Sequence, residues 1–308
     1  MTEPEQPDPA APGTVSRRTA AAILSRLRAP APPDSAPSSA ADAAAPRRSR
    51  AWLWHLLLLG CFIGAGIGVT WPLTAKLTDG QLPWNSDVSS YVWALWWMAH
   101  QVSHLGNPFT TTYMAAPVGI QLGFDTLMPL PGLIMTPVTL IWGPAASFAV
   151  LTIITPGVLC YVTYRAARLW LGHPGAIAAG ALFGLSTMVT WQNIYHLNIS
   201  IGTIFLPLTL EATIRLRRNP GRRQAIVLGV VLGASVLTNQ ESAVLAVLLA
   251  IGVLLPWLIR LMFRPGARQS VPQLRTLALG AVVAVVVASP QLAAMIGQVA
   301  NGGTKLLK

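Results

Sequence analysis

Charge is what this chain has least of. Only 10% of its 308 residues are charged, against about 25% in an ordinary soluble domain. Acid is the scarcer sign, with ten carboxylates, five of them before residue 50. From Leu77 to Tyr164 there is no Lys or Arg. A run of that length without cations fits a segment carried across a membrane, because basic loops are retained on the cytoplasmic side. Cysteine is almost missing too. Cys61 and Cys160 both sit in apolar runs, which supports neither a disulfide framework nor a metal knuckle. Also lacking are a Gly-Xaa-Ser-Xaa-Gly elbow, a nucleotide P-loop, an HExxH helix and a CxxC pair. The signatures of soluble catalysis give no lead.

What is there is apolar. Hydrophobic residues make up 53% of the chain, mean hydropathy is +0.54, and apolar runs of roughly 16 to 20 residues recur, as multi-span membrane proteins require. The net charge of +11 raises nucleic acid as a partner. The arginines nevertheless lie at the ends of apolar runs and form no patch interleaved with stacking aromatics, so positive-inside topology accounts for them and nucleic acid is excluded.

The pattern predicts an all-α membrane protein of about seven transmembrane helices, at 52–72, 145–164, 175–190, 199–214, 225–237, 242–258 and 276–294, the last bent near Pro290. Residues 1–50, rich in Ala, Pro and Ser, read as a disordered cytoplasmic tail with one short helix at 20–27. A membrane domain then spans 51–300, and 301–308 form a short outer tail. This arrangement puts eighteen of the 21 cations on the inner side, leaving Lys76, Lys305 and Lys308 outside. It implies a multi-pass protein of the cell membrane with its N-terminus cytoplasmic and its C-terminus outside. Gly60, Gly64 and Gly68 recur every four residues and predict a face for close helix contact. The third to fifth spans are short, which predicts a recessed outer cavity unless their boundaries run further.

The long outer loop, 77–144, carries the residues of interest. Residues 88–105 wound as a helix place Tyr91, Leu95, Met98, Val102 and Leu105 on one face, and Trp93, Trp97, His100 and His104 on the other. Such a helix suits the membrane–water interface. The apolar stretch 127–142 holds Pro129, Pro131 and Pro137. Counting it as a span would reverse every later basic loop, so it reads as a second interfacial or re-entrant helix. Asp87 either points into a membrane-embedded site or, in Asn85-Ser86-Asp87, caps the helix start. Asp125 reads as a turn residue or as a second carboxylate of the site, and Asp79 before Gly80 as a turn. Glu241 opens the sixth span, where a carboxylate complements a helix N-terminus but is costly to bury without a partner. Glu211, four residues before Arg215, predicts a local ion pair. His196 is the titratable group of the next outer loop, 191–198. His100 and His104 have the spacing to chelate a metal, although an interfacial Trp/His helix explains them without one. No ligand set is clearly encoded, and a divalent metal stays open.

A cytoplasmic N-terminus, one span, a long outer loop led by Asp87 and then short-looped spans resemble the GT-C superfamily of integral-membrane glycosyltransferases. More narrowly, the likeness is to bacterial members whose first loop reads Asp87…Tyr91-Xaa-Trp93-Xaa-Leu95-Xaa-Trp97-Xaa-Xaa-His100, followed by Pro117-Xaa-Gly119-Xaa-Xaa-Leu122 and Pro137…Gly143. It covers about residues 51–300. The resemblance implies sugar transfer from a polyprenyl-phosphate-type lipid donor to an acceptor on the outer face of the membrane. Asp87 would then act as general base, with Trp93, Trp97, His100, Asp125, His196 and Glu241 binding substrate. The chain departs from that pattern in three ways. Asn85-Ser86-Asp87 supplies one carboxylate where the first loop of relatives often carries a pair, no Arg and nearby only Lys76 and Lys305 lie on the outer side for a donor phosphate, and the sequence stops at Lys308 where relatives usually go on to later spans and a soluble domain, as in a truncated or split form. A non-catalytic remnant, an accessory subunit, or a lipid or solute transporter is the competing class. A transporter would carry polar groups in broken mid-membrane helices.

Overall fold

The computed structural model describes residues 48–83, 85–262, 271–302 and 306. The expected tail and its short helix lie outside the described residues, apart from 48–50. So do Arg264, Arg268, Lys305 and Lys308.

Among the described residues the chain forms twelve helices and one pair of two-residue strands. They are α1 (Arg48–Thr70), α2 (Leu73–Thr78), α3 (Ser86–Ser103), β1 (Thr110–Thr111), β2 (Ile120–Gln121), α4 (Pro129–Trp142), α5 (Pro144–Ala167), α6 (His173–Gly184), α7 (Thr187–Tyr195), α8 (Leu197–Thr203), α9 (Phe205–Arg218), α10 (Arg222–Val236), α11 (Gln240–Met262) and α12 (Val271–Ala300). The strands pair antiparallel, Thr110 with Gln121 and Thr111 with Ile120.

Five helical stretches are long and apolar enough to cross a membrane: Trp52–Thr70, Pro144–Ala167, Leu197–Arg218, Gln240–Arg260 and Pro272–Ala300. The pair α6–α7, bent by 45°, makes a sixth if taken as one broken span. Their outward surfaces are apolar. Leu56, Leu57, Val244, Leu248, Val282 and Val286 are all exposed. Patches of that extent mark surfaces that something other than water covers, and here the cover is lipid. The chain is an all-α membrane-embedded protein.

The seam contacts fix the direction of each helix. Gly66 meets Pro156 while Gly157 meets Ile63, so α1 and α5 run antiparallel. Gly180 lies against Tyr164 and Gly184 against Cys160, which makes α5 and α6 antiparallel as well. Phe148 and Leu151 pack with Leu197 and Ile201, and Arg165 pairs with Glu211 further along, so α8–α9 runs parallel to α5. Gly202 touches Ser242, and Arg217 donates to the Val253 carbonyl, aligning α11 with α9. Gly229 approaches Gly280 and Val283, and Gly233 approaches Ala284 and Val287, so α10 lies parallel to α12.

Several expectations need correction. Gly60, Gly64 and Gly68 face open space; the close approach to α5 is made by Gly66 instead. The outer loop expected at 191–198 is mostly helical, in α7 and the start of α8. The third and fourth spans accordingly lengthen to the bent pair 173–195 and to 197–218, and only α10, at 15 residues, stays short. The interfacial helix expected at 88–105 is α3, 86–103, and Leu105 leaves its apolar face with φ 52° and almost full exposure.

The second loop helix forms as α4. Its 14 residues extend about 21 Å at 1.5 Å per residue, short of a hydrocarbon core of about 30 Å. It buries Met135, Thr136 and Thr139 and exposes Leu133, Ile134, Leu140 and Ile141. Gly143, at φ +87°, makes the turn into α5 that a side chain would strain.

Candidate functional site

The site begins at the N-terminus of α3. Asn85 Oδ1 accepts from the Asp87 backbone N–H at 2.8 Å. The cap is therefore Asn85, and the Asp87 side chain, in the first turn, serves another contact. That carboxylate meets His196 at the α7–α8 junction, with Nδ1 3.2 Å from Oδ2. Both side chains are part-exposed, His196 at 37% and Asp87 at 46%. An Nδ1–H pointing at Asp87 makes this a hydrogen bond with the imidazole neutral and an ion pair with it charged.

Tyr91 extends the group inward. It is buried in the core of Val88, Leu95, Phe148 and Leu197. Burial pushes its phenol up to about 12, and the Asp87 and Glu241 carboxylates add to that rise. Asp87, from α3, and Glu241, from the first turn of α11, thus both act against the phenolate form of one ring.

Asp125 joins Trp93 and Glu241 at two cavities whose linings include neither Asp87 nor His196. A cavity of about 180 Å³ is lined by Ser90, Trp93, Met114, Asp125 and Thr126. A second, of about 70 Å³, is lined by Asp125, Thr126, Asn198, Asn239, Glu241 and Gln291. Asp125 and Thr126 form part of the wall of both. Within the smaller cavity Asn198 and Gln291 are buried, and their amide oxygens accept no hydrogen bond among the described residues. Gln240 and Gln291 both donate to the Gly123 carbonyl, fixing the 122–126 turn against α11 and α12.

The aromatic residues form a separate cluster on the flank of α3. Trp93 and Trp97 stack at 5.6 Å, His100 stacks on Trp96 at 5.3 Å, and Tyr113 closes the group edge-on. Trp97 is buried and its indole N–H donates to the Pro108 carbonyl. Trp93 reaches the larger cavity; Trp97 and His100 line neither one. His104 sits 4.4 Å from His100, ring to ring, and bonds back to the His100 carbonyl. Among the described residues no three of His, Cys, Asp and Glu group as metal ligands.

Sequence reasoning put Tyr91 only on the apolar face of its helix and in the first-loop motif, and did not single out Ser90, Asn198 or Gln291. Asn198 and Gln291 carried a signal, being amides at the edge of or within apolar runs, where polar groups are expensive. Comparison with protein-family models, curated proteins and solved structures gives no match to the chain.

Proposed function

We propose that the chain is a membrane glycosyltransferase-like protein of the GT-C type. In this reading it transfers a sugar from a polyprenyl-phosphate-type lipid donor to an acceptor at the outer face of the cell membrane, with Asp87 as general base. The observation that carries the reading is the Asp87–His196 contact at the mouth of a helix N-terminus. Deprotonating an acceptor hydroxyl needs a carboxylate held in one orientation yet open to substrate. A part-exposed carboxylate oriented by a histidine meets both needs. The two cavities that share Asp125 suit a polyol. Trp93 offers a flat face for sugar C–H surfaces, and the acceptor oxygens of Asn198 and Gln291 await donors such as hydroxyls.

The topology belongs to the same proposal. Helix α10, though short, runs parallel to α12, and α11 separates the two along the sequence, as expected for a crossing helix, which gives seven spans. The basic ends of α5, α9 and α11 then face the cytoplasm together with the start of α1, while Asp87, Asp125, His196 and Glu241 sit at the outer end.

The test is transfer of labelled sugar from polyprenyl-phosphate donors by the purified protein and its Asp87→Asn variant. Loss of about 10²-fold or more in the variant is expected for a general base. Equal rates would remove Asp87 from the mechanism. Absence of transfer by either would favour the accessory-subunit class.

A further inference from the structure

The opposite end of the helices holds a second built site. The end of α5, the last turns of α9 and the start of α10 enclose a cavity of about 300 Å³. Glu211 lies fifteen residues beyond His196, about 22 Å along the span at 1.5 Å per residue.

Arg165, Arg215 and Arg223 converge on this cavity around the single carboxylate of Glu211. Glu211 is buried, and its Oε1 accepts from Arg165 at 3.0 Å and from Arg215 at 2.8 Å. One oxygen thus locks two guanidinium groups side by side, each with most of its five donors unused. Arg223 has no hydrogen-bond or ion-pair partner among the described residues. Three cations against one anion leave an excess of two positive charges in one cavity, and such an excess attracts an anion. Arginine forks match phosphate oxygens in geometry as well as charge.

The rest of the lining names the source of that phosphate. Leu208, Val227 and Val231 form the apolar side, and Val227 is exposed, continuous with exposed Ile226 and Val230 on α10. A cavity with arginines at the helix ends and a side open towards lipid fits a headgroup whose tails remain in the bilayer. We propose that this cavity binds the phosphate of an anionic phospholipid. Arg165 and Arg215, oriented by Glu211, would grip the phosphate, and Arg223 would close over it. This site is independent of Asp87 and of sugar transfer.

The experiment measures thermal stabilisation and lipid retention, by native mass spectrometry, of the purified full chain. The probes are phosphatidylglycerol, phosphatidylcholine and inorganic phosphate. Phosphatidylglycerol is expected to stabilise and to be retained, whereas phosphatidylcholine is not. Arg223→Gln, which breaks no hydrogen bond or ion pair among the described residues, should weaken retention about fivefold, the worth of one arginine near an anionic surface. Arg165→Gln should weaken it at least as much. Arg260→Gln, at the same end but outside the cavity, controls for general surface charge. Equal retention by Arg223→Gln and wild type, or equal losses in Arg223→Gln and Arg260→Gln, would overturn the site. Stabilisation by inorganic phosphate as strong as that by the lipid would overturn the lipid assignment.

Discussion

His196 Nδ1 faces Asp87 Oδ2 at 3.2 Å, joining the first turn of α3 to the junction of α7 and α8. Both partners are part-exposed, so their contact adds little to stability, under about 1 kcal/mol. His196→Ala should therefore leave the melting temperature in detergent nearly unchanged. Under the proposed function it should lower sugar transfer, though less than Asp87→Asn does. A double-mutant cycle on transfer rates separates the two roles: coupling is expected, and strictly additive losses would mean the contact is incidental.

Tyr91 reports on the same neighbourhood without any assumption about activity. Its folded-state pKa of about 12 lies above the ordinary value of 10. A raised pKa favours the fold below pH 10, and that contribution is lost as pH rises from about 10 through about 12. The difference in phenolate absorbance between wild type and Tyr91→Phe isolates this residue from the other tyrosines. Asp87→Asn and Glu241→Gln should each lower the midpoint, since each removes a negative charge that opposes the phenolate. Burial is the largest cause, so most of the rise should survive both changes. A midpoint unmoved by either substitution would place those carboxylates too far away to form one site.

The helix seams make a sharper test of packing. A Cβ on Gly157 would lie 2.5 Å from the Ile63 Cα, and a Cβ on Gly233 would lie 2.6 Å from the Val287 Cβ. Backbone must move in the first case, and Gly157→Ala should cost about 1 to 3 kcal/mol. Gly64→Ala meets nothing within 4 Å and should be neutral or stabilising by up to about 1 kcal/mol through helix propensity. Thermal unfolding in detergent checks both. Equal effects would contradict the α1–α5 seam.

These glycines also show where sequence reading succeeds and where it stops. Hydropathy finds the spans because exclusion from water acts on each segment separately. A four-residue glycine spacing marks a face of α1, but which face is covered depends on α5, and the contact fell to Gly66. Glu211 with Arg215 was legible because four residues bring two side chains together on any helix. Arg165, 46 positions away, became a partner only through the packing of α5 on α9. Asp87, Asp125, His196 and Glu241 could be gathered as candidates from charge scarcity alone. The pairing of Asp87 with His196, and of Asp125 with Glu241 in one cavity, required the tertiary structure.

The sidedness that underlies the proposed function can be read chemically. Single cysteines replacing exposed Tyr113 and exposed Arg217, in a background lacking Cys61 and Cys160, should react with a membrane-impermeant maleimide from opposite faces. Tyr113 belongs to the long cation-free loop and Arg217 to the basic end of α9. Labelling of both from the same side would break the topology, and the outer location of the Asp87 site with it.

Asn85 offers a final test, because it connects local helix physics to the site. Its side chain accepts the Asp87 N–H at 2.8 Å and so satisfies one of the donors that a helix N-terminus leaves open. Asn85→Ala should cost about 1 kcal/mol of stability, whereas Asn85→Ser keeps an acceptor and should recover most of it. The first turn of α3 is also what aims Asp87 at His196, so fraying it should loosen that contact. The Asp87–His196 coupling energy is therefore expected to fall in the Asn85→Ala background and to persist with Ser. A coupling that survives Asn85→Ala unchanged would mean that Asp87 is held by packing around Val88 and Tyr91, with the cap serving the helix alone.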